Sequence, residues 1–116
     1  MSSGAHFMVP LMAVEKRIGA AVLYGGGVAQ LPVLPLSEQP FNYYPRVTQP
    51  VLMLNGRWDI LFPLPSQQRM LELLGAPQDS KKHVLFEAGH GNMPRFQVEQ
   101  ATLDWFDQYL GQPAKK

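Results

Sequence analysis

The chain has 116 residues, of which 46% are hydrophobic and 16% charged, and its formal net charge is +1. That size and balance suit one core-forming globular domain and give no basic surface for nucleic acid. It has no cysteine, which excludes disulfides and thiolate metal sites and leaves the cytoplasm as the default compartment. No apolar run reaches the roughly 18 residues of a membrane span. Pro10 interrupts the N-terminal apolar residues and no positive region precedes them, so neither a membrane segment nor a signal peptide is expected.

In chain order, Met1 to Gly4 is small and polar, and His6 to Val14 suits a helix that Pro10 should delay or kink. Arg17 to Tyr24 is a short apolar run stopping at Gly25-Gly26-Gly27, as a buried strand would. Those glycines are a strand-end turn and not a phosphate loop, because no Gly-Lys-Ser/Thr follows. Between Val28 and Pro50 stand Pro32, Pro35, Pro40, Pro45 and Pro50, enough to deny regular structure. Val51 to Asn55 is a second strand with no polar alternation, hence covered on both faces. Ser66 to Leu74 follows as a helix, with Ser66 as N-cap and Gly75 and Pro77 as its stop. His83 to Glu87 is a third strand. Pro94 to Leu110 is the last helix, ended by Gly111, with Lys115-Lys116 as a solvated tail. On that helix Phe96, Leu103, Phe106 and Leu110 make one apolar stripe, with Val98, Thr102, Trp105 and Tyr109 beside it. The order predicts an α/β layer of parallel strands in one domain, residues 1–116.

Two phrases carry chemistry. Val51-Leu52-Met53-Leu54-Asn55-Gly56-Arg57-Trp58-Asp59 is an apolar run that breaks at Gly56 and delivers an acid. Phe86-Glu87-Ala88-Gly89-His90 delivers a histidine in the same way. An acid and a histidine just past the C-terminal ends of two parallel strands can meet on one rim of the sheet, where ligands usually sit. That pairing activates a nucleophile. Taken singly, Asp59 also reads as a turn former and His90 as an exposed loop histidine. His6 and His83 share no ligand spacing with His90, so no metal site is expected. The aromatic set Phe41, Tyr43, Tyr44, Trp58 and Phe62 reads equally as the lining of an apolar pocket or as packing beneath the loop.

The phrases Ala13-Val14-Glu15-Lys16-Arg17, Pro45-Arg46-Val47, Asn55-Gly56-Arg57-Trp58-Asp59, Phe62-Pro63, Gly89-His90 and Thr102-Leu103-Asp104-Trp105-Phe106 together resemble the C-terminal part of an α/β-hydrolase, most of all the dienelactone-hydrolase and esterase-like members. The resemblance covers nearly the whole chain and implies a truncated hydrolase sheet of about three parallel strands flanked by helices. It also implies a nucleophile in Gly-x-Ser-x-Gly, a sharp strand-to-helix turn. Ser2 fits that register with Gly4 closing the motif, whereas Ser3 would put Ala5 at the closing place. By resemblance, then, Ser2 is the serine nucleophile, His90 the general base and Asp59 its orienting acid. The resemblance also makes the Ser3 N–H an oxyanion donor, and if the aromatic set is a pocket lining, Phe41, Tyr44, Trp58 and Phe62 are its substrate-binding candidates. The implied substrate is a small carboxylic ester or lactone, with no cofactor.

The strand that feeds the elbow and the loop that supplies a second oxyanion donor lie outside this pattern. One missing donor removes roughly 3–4 kcal/mol, on the order of a thousandfold in rate. Impaired activity is therefore an expectation beside hydrolysis. The alternative is a non-catalytic oligomeric half-domain, or a fragment needing a complementing chain. A bare, apolar edge at residues 17–24 invites another strand and predicts a homodimer paired through it.

Overall fold

The apolar runs that end at Tyr24 and Gly56 become parallel strands because each is too short and too uniformly apolar for an amphipathic helix, and the mixed run Lys81–Phe86 joins them as the other edge. The computed structural model describes residues 1–29 and 31–111. Strands β1 (Ala21–Tyr24), β2 (Val51–Gly56) and β3 (Lys81–Phe86) lie in the order β1-β2-β3. Ala21 pairs with Val51 and Val51 with Lys81, so both ladders are parallel and in step. Helices α1 (Ser3–Val14), α2 (Leu64–Leu73) and α3 (Arg95–Leu110) complete the order α1-β1-β2-α2-β3-α3. No helix among the described residues is long and apolar enough to cross a membrane.

The pleat sorts the strands into two cores. Ala21, Leu23, Val51 and Met53 pack with Val9 and Met12 of α1 and Met70 of α2. Leu52, Leu54 and Phe86 point the other way, onto Trp105 of α3, with Val22 and Val84 beside them. All six residues of β2 are buried, as expected of a strand covered on both faces. The proline-rich excursion contains two 3-10 turns, Leu36–Glu38 and Pro40–Arg46. One buried side chain organises part of its backbone: Gln39 Nε2 donates to the carbonyls of Leu31 (2.8 Å) and Leu34 (2.7 Å), and its Oε1 accepts the Leu31 N–H. Gln49 Nε2 likewise donates to Met12 O at 2.9 Å, holding the end of α1.

Four expectations need correction. Helix α1 starts at Ser3 and runs through Pro10; the ring removes one donor without ending a helix whose other side is buried in the core. Strand β1 begins only at Ala21, because Arg17 is held in a turn by its N–H and guanidinium bonds to the Glu15 carboxylate. Helix α2 is preceded by Pro63, not capped by Ser66; the Ser66 hydroxyl donates instead to Val28 O at 2.8 Å, tying down the loop after β1. On α3 the inward face is Val98, Ala101, Trp105 and Tyr109 with Phe106, whereas Phe96, Leu103 and Leu110 are exposed. A three-stranded sheet is too narrow to cover both apolar stripes, and the one bearing Trp105 is buried. The Lys115-Lys116 tail lies outside the described residues.

Candidate active site

Strand pairing itself delivers the acid to the base. Beyond β2 and β3 the parallel ladder continues, with Arg57 N–H donating to Phe86 O (2.9 Å) and Trp58 N–H to Ala88 O (3.0 Å). The two strand ends come so close that a Cβ on Gly56 would stand 2.8 Å from the Ala88 carbonyl carbon and nearer still to the carbonyl oxygens of Ala88 and Gly89. Only glycine allows this approach. From there Asp59 Oδ2 meets His90 Nδ1 at 2.7 Å. The Asp59 side chain is fully buried and the His90 side chain is 19% exposed. The other carboxylate oxygen, Oδ1, accepts the N–H groups of Leu61 (2.8 Å) and Phe62 (2.9 Å). With both oxygens occupied, the carboxylate has one orientation. In the neutral imidazole the proton then sits on Nδ1 and the Nε2 lone pair is left for chemistry.

Side chains that the sequence reading passed over hold this frame. Gln67, fully buried, donates to Gly56 O (2.9 Å) and Phe62 O (2.7 Å), spanning both ends of the acid loop. Asn92 Oδ1 accepts the Gly89 N–H at 2.7 Å, closing the turn that presents His90. Asn55, also fully buried, donates through Nδ2 to Gly26 O at 2.8 Å and accepts through Oδ1 from His83 Nε2 at 3.1 Å. An amide oxygen only accepts, so His83 carries its proton on Nε2. On the outside, Glu87 takes Arg57 Nε (2.7 Å) and Trp58 Nε1 (3.0 Å), bracing one loop against the other; the Arg57 guanidinium lowers the Glu87 pKa. A polar residue inside an apolar run, as at Asn55, was the available signal; for Gln67 and Asn92 there was none.

Ser2 stands on the same rim. Its φ is 51° and ψ −110°, and among the described residues no other non-glycine has positive φ. Such backbone stores about 1–3 kcal/mol and tends to mark functional positions. Its N–H donates to Tyr24 O at 2.8 Å, anchoring the start of α1 to the end of β1. Its hydroxyl makes no capping bond. The next residue of β1's turn, Gly25, lies under the imidazole: a Cβ there would be 3.4 Å from His90 Cε1. Ser2 and His90 therefore converge on the Tyr24–Gly25 step, although no hydrogen bond joins them. The Ser3 N–H is the first of α1, has no intrahelical acceptor, and sits at the positive end of the helix.

The aromatic set divides. Tyr44 is completely buried in the core with α1 and Phe41 packs against that core, so both belong to packing beneath the loop and not to a substrate lining. Burial pushes the Tyr44 phenol up to about 12. Trp58 is two-thirds exposed and engaged with Glu87. Phe62 alone reaches the site, its ring centroid 5.9 Å from that of His90.

No family model and no curated protein matches the sequence. Solved structures do. A cold-adapted esterase from an Arctic intertidal metagenomic library is 27% identical with a TM-score of 0.76, over 93% of this chain and 46% of the other. An esterase of Pyrococcus furiosus superposes at a TM-score of 0.78 and 16% identity, over 96% and 53%. A monoacylglycerol lipase of Paleococcus ferrophilus gives 0.74 and 16%, over 92% and 66%. The chain thus spans about half the length of the solved proteins it matches, and at the lower identities the likeness concerns fold alone. Three parallel strands flanked by helices, with these neighbours, give the chain an α/β-hydrolase-like fold.

Proposed function

We propose that this chain carries the catalytic centre of a serine ester hydrolase, with Ser2 as nucleophile, His90 as general base and Asp59 as the acid that orients it. The observation that carries the reading is the 2.7 Å bond between His90 Nδ1 and the buried Asp59 carboxylate, which commits Nε2 to accepting a proton. The Ser2 proton passes to Nε2 as Oγ attacks the ester carbonyl carbon. The carbonyl oxygen takes up the negative charge beside the Ser3 N–H and the N-terminal end of α1. Collapse breaks the ester C–O bond, and the leaving alcohol takes the proton from His90. Water then attacks the acyl-serine with His90 again as base and releases the carboxylic acid. The substrate is a small carboxylic ester or lactone, a reading supported by the 27%-identical neighbour named as an esterase.

Hydrolysis of p-nitrophenyl acetate by wild type, Ser2→Ala and His90→Ala tests this. The expected result is a rate that both changes abolish. A rate indifferent to Ser2→Ala reduces the activity to histidine-driven background and ends the proposal.

We also propose that two copies pair through β1. This strand is an edge of the sheet, and beside it runs an apolar groove lined by Met1, Ala5, Met8 and Phe106. An unpaired strand edge next to apolar surface favours strand addition. Light scattering after size exclusion decides: a stable monomer at micromolar concentration refutes the pairing.

A further inference from the structure

Beyond Trp58 the pairing of β2 with β3 ends, and Asp59 is no longer placed by the ladder. Its carboxylate bonds to Leu61 and Phe62 stay within the acid loop, residues 56–62, as does its own N–H to Gly56 O at 3.4 Å. Among the described residues, the hydrogen bonds that tie residues 59–62 to anything outside that loop are Asp59 to His90 and Phe62 O to Gln67. Gln67 Nε2 donates to Phe62 O (2.7 Å) and Gly56 O (2.9 Å) together. One nitrogen thus fixes the far end of the acid loop against the buried end of β2. Packing alone does not ask for an amide there. Gln67 shares a buried stripe of α2 with Met70, and Leu74 at the helix end continues it, so an apolar side chain would fill the place. The Gln67 Oε1 has no partner among the described residues, a cost that an apolar residue avoids. The brace is also fastened to the Ser2 side of the rim. The neighbouring Ser66 hydroxyl donates to Val28 O (2.8 Å), and the Val28 N–H returns to Ser66 O (3.2 Å). That turn starts at Tyr24, whose carbonyl takes the Ser2 N–H. A Cβ on Gly27 would stand 2.7 Å from Ser66 Oγ and 2.9 Å from Phe62 Cβ, so no side chain separates the two loops.

We infer that Gln67 is the positioning residue of the proposed catalytic centre: its amide registers the acid loop with the turn that holds Ser2, so that Asp59 meets His90 at bonding distance. The inference rests on the Ser2, His90 and Asp59 reading and adds the residue that sets its geometry. Gln67 takes no proton in the reaction and acts through Asp59 alone. Its contribution to the rate therefore vanishes once residue 59 no longer orients the ring, which general support of the fold would not do.

Gln67→Met keeps the length of the side chain and removes the donor. With Asp59 displaced by about 1 Å, kcat for p-nitrophenyl acetate should fall about a hundredfold. KM should stay within about twofold, because the loss falls on the oriented base and not on binding. Added to Asp59→Asn, the same change should cost less than about threefold, since residues that act as a unit do not add. Without substrate, the His90 Nδ1–H proton should give a protected low-field NMR signal in wild type and lose it in Gln67→Met. Gln67→Asn, whose shorter amide cannot span both carbonyls, is the second variant if methionine does not fold, and the same results are required of it. An equal loss of kcat with and without Asp59→Asn marks Gln67 as general scaffolding and overturns the inference. So does an unchanged kcat or Nδ1–H signal in a folded variant, or the failure of both variants to fold. Ser2-dependent hydrolysis that Gln67→Met leaves untouched removes the brace and leaves the hydrolase reading standing. Loss of the Nδ1–H signal in Gln67→Met, in a protein whose hydrolysis ignores Ser2→Ala, does the reverse.

Discussion

Asp59→Asn is the sharpest perturbation of the proposed proton path, because the structure dictates how asparagine must sit. Oδ1 of residue 59 faces two donors, the N–H groups of Leu61 and Phe62. An asparagine oxygen keeps both bonds. Turned over, its NH₂ would face two N–H groups and forfeit two hydrogen bonds, each worth about 1 kcal/mol. A preference of about 2 kcal/mol leaves only a few per cent in the flipped state. The NH₂ therefore points at His90 Nδ1, which must then accept, and the ring proton moves to Nε2. The imidazole is still present but faces Ser2 with a donor where a base is required. Loss of the correct tautomer in a Ser-His-Asp site lowers kcat by about 10⁴, while stability should fall by only about 1 kcal/mol, since a neutral bond replaces a charge-assisted one. Long-range ¹H–¹⁵N correlation of His90 at about pH 8 reads the tautomer without any need for turnover, and p-nitrophenyl acetate reads the rate. An unchanged Nδ1–H tautomer in Asp59→Asn would refute the reasoning.

Gly56→Ala should drive the Asp59 and His90 loops apart, because the colliding atoms are backbone carbonyls that cannot rotate away. Overpacking of this kind costs about 1–3 kcal/mol, and a shift of about 1 Å costs about a hundredfold in rate; Gly91→Ala, with nothing within 4 Å, is the control whose urea midpoint should not move. Ser2→Gly should raise stability by about 1 kcal/mol while removing the proposed nucleophile, since glycine takes φ 51° without penalty; a urea midpoint no higher than wild type would show that the backbone there is unstrained. Stability should also fall in mild acid. Burial holds His6 and His83 below their ordinary pKa of 6.5, so above 6.5 folded and unfolded chains bind the same protons, and below it the unfolded chain binds more. Urea midpoints should therefore drop between about pH 7 and about pH 5. The double change His6→Leu, His83→Gln should flatten that drop, and an unaltered slope would assign the acid sensitivity elsewhere.

The parts of the fold that sequence patterning disclosed are those where one physical rule dominates. Val51 to Asn55 is apolar at almost every position and ends in glycine, and it is the fully buried central strand. Asp59 and His90 were legible because each follows such a break, and the ladder between 57 and 88 could only bring them to one rim. Where two rules compete, the sequence was ambiguous. Helix α3 offers two apolar stripes, and only the width of the sheet decides that Trp105 goes in while Phe96 and Leu103 stay out. Ser66 looks like an N-cap, but a proline at 63 begins the helix earlier and frees the hydroxyl for Val28. His6 was considered only as a metal ligand. Its burial without a hydrogen-bond partner among the described residues is something spacing cannot reveal. The same holds for Gln67, whose two bonds run from α2 to the end of β2 and to the loop that leads into the helix.

The outward ridge of α3 has a practical consequence. Phe96 is 75% exposed and Leu103 61%, so neither contributes much to holding the molecule together, yet both present greasy surface to whatever drifts by. Stickiness, losses to plastic and clouding at high concentration can be tuned there with lysine or glutamate while the interior is left untouched. Colloidal behaviour and architecture are written on opposite sides of one helix.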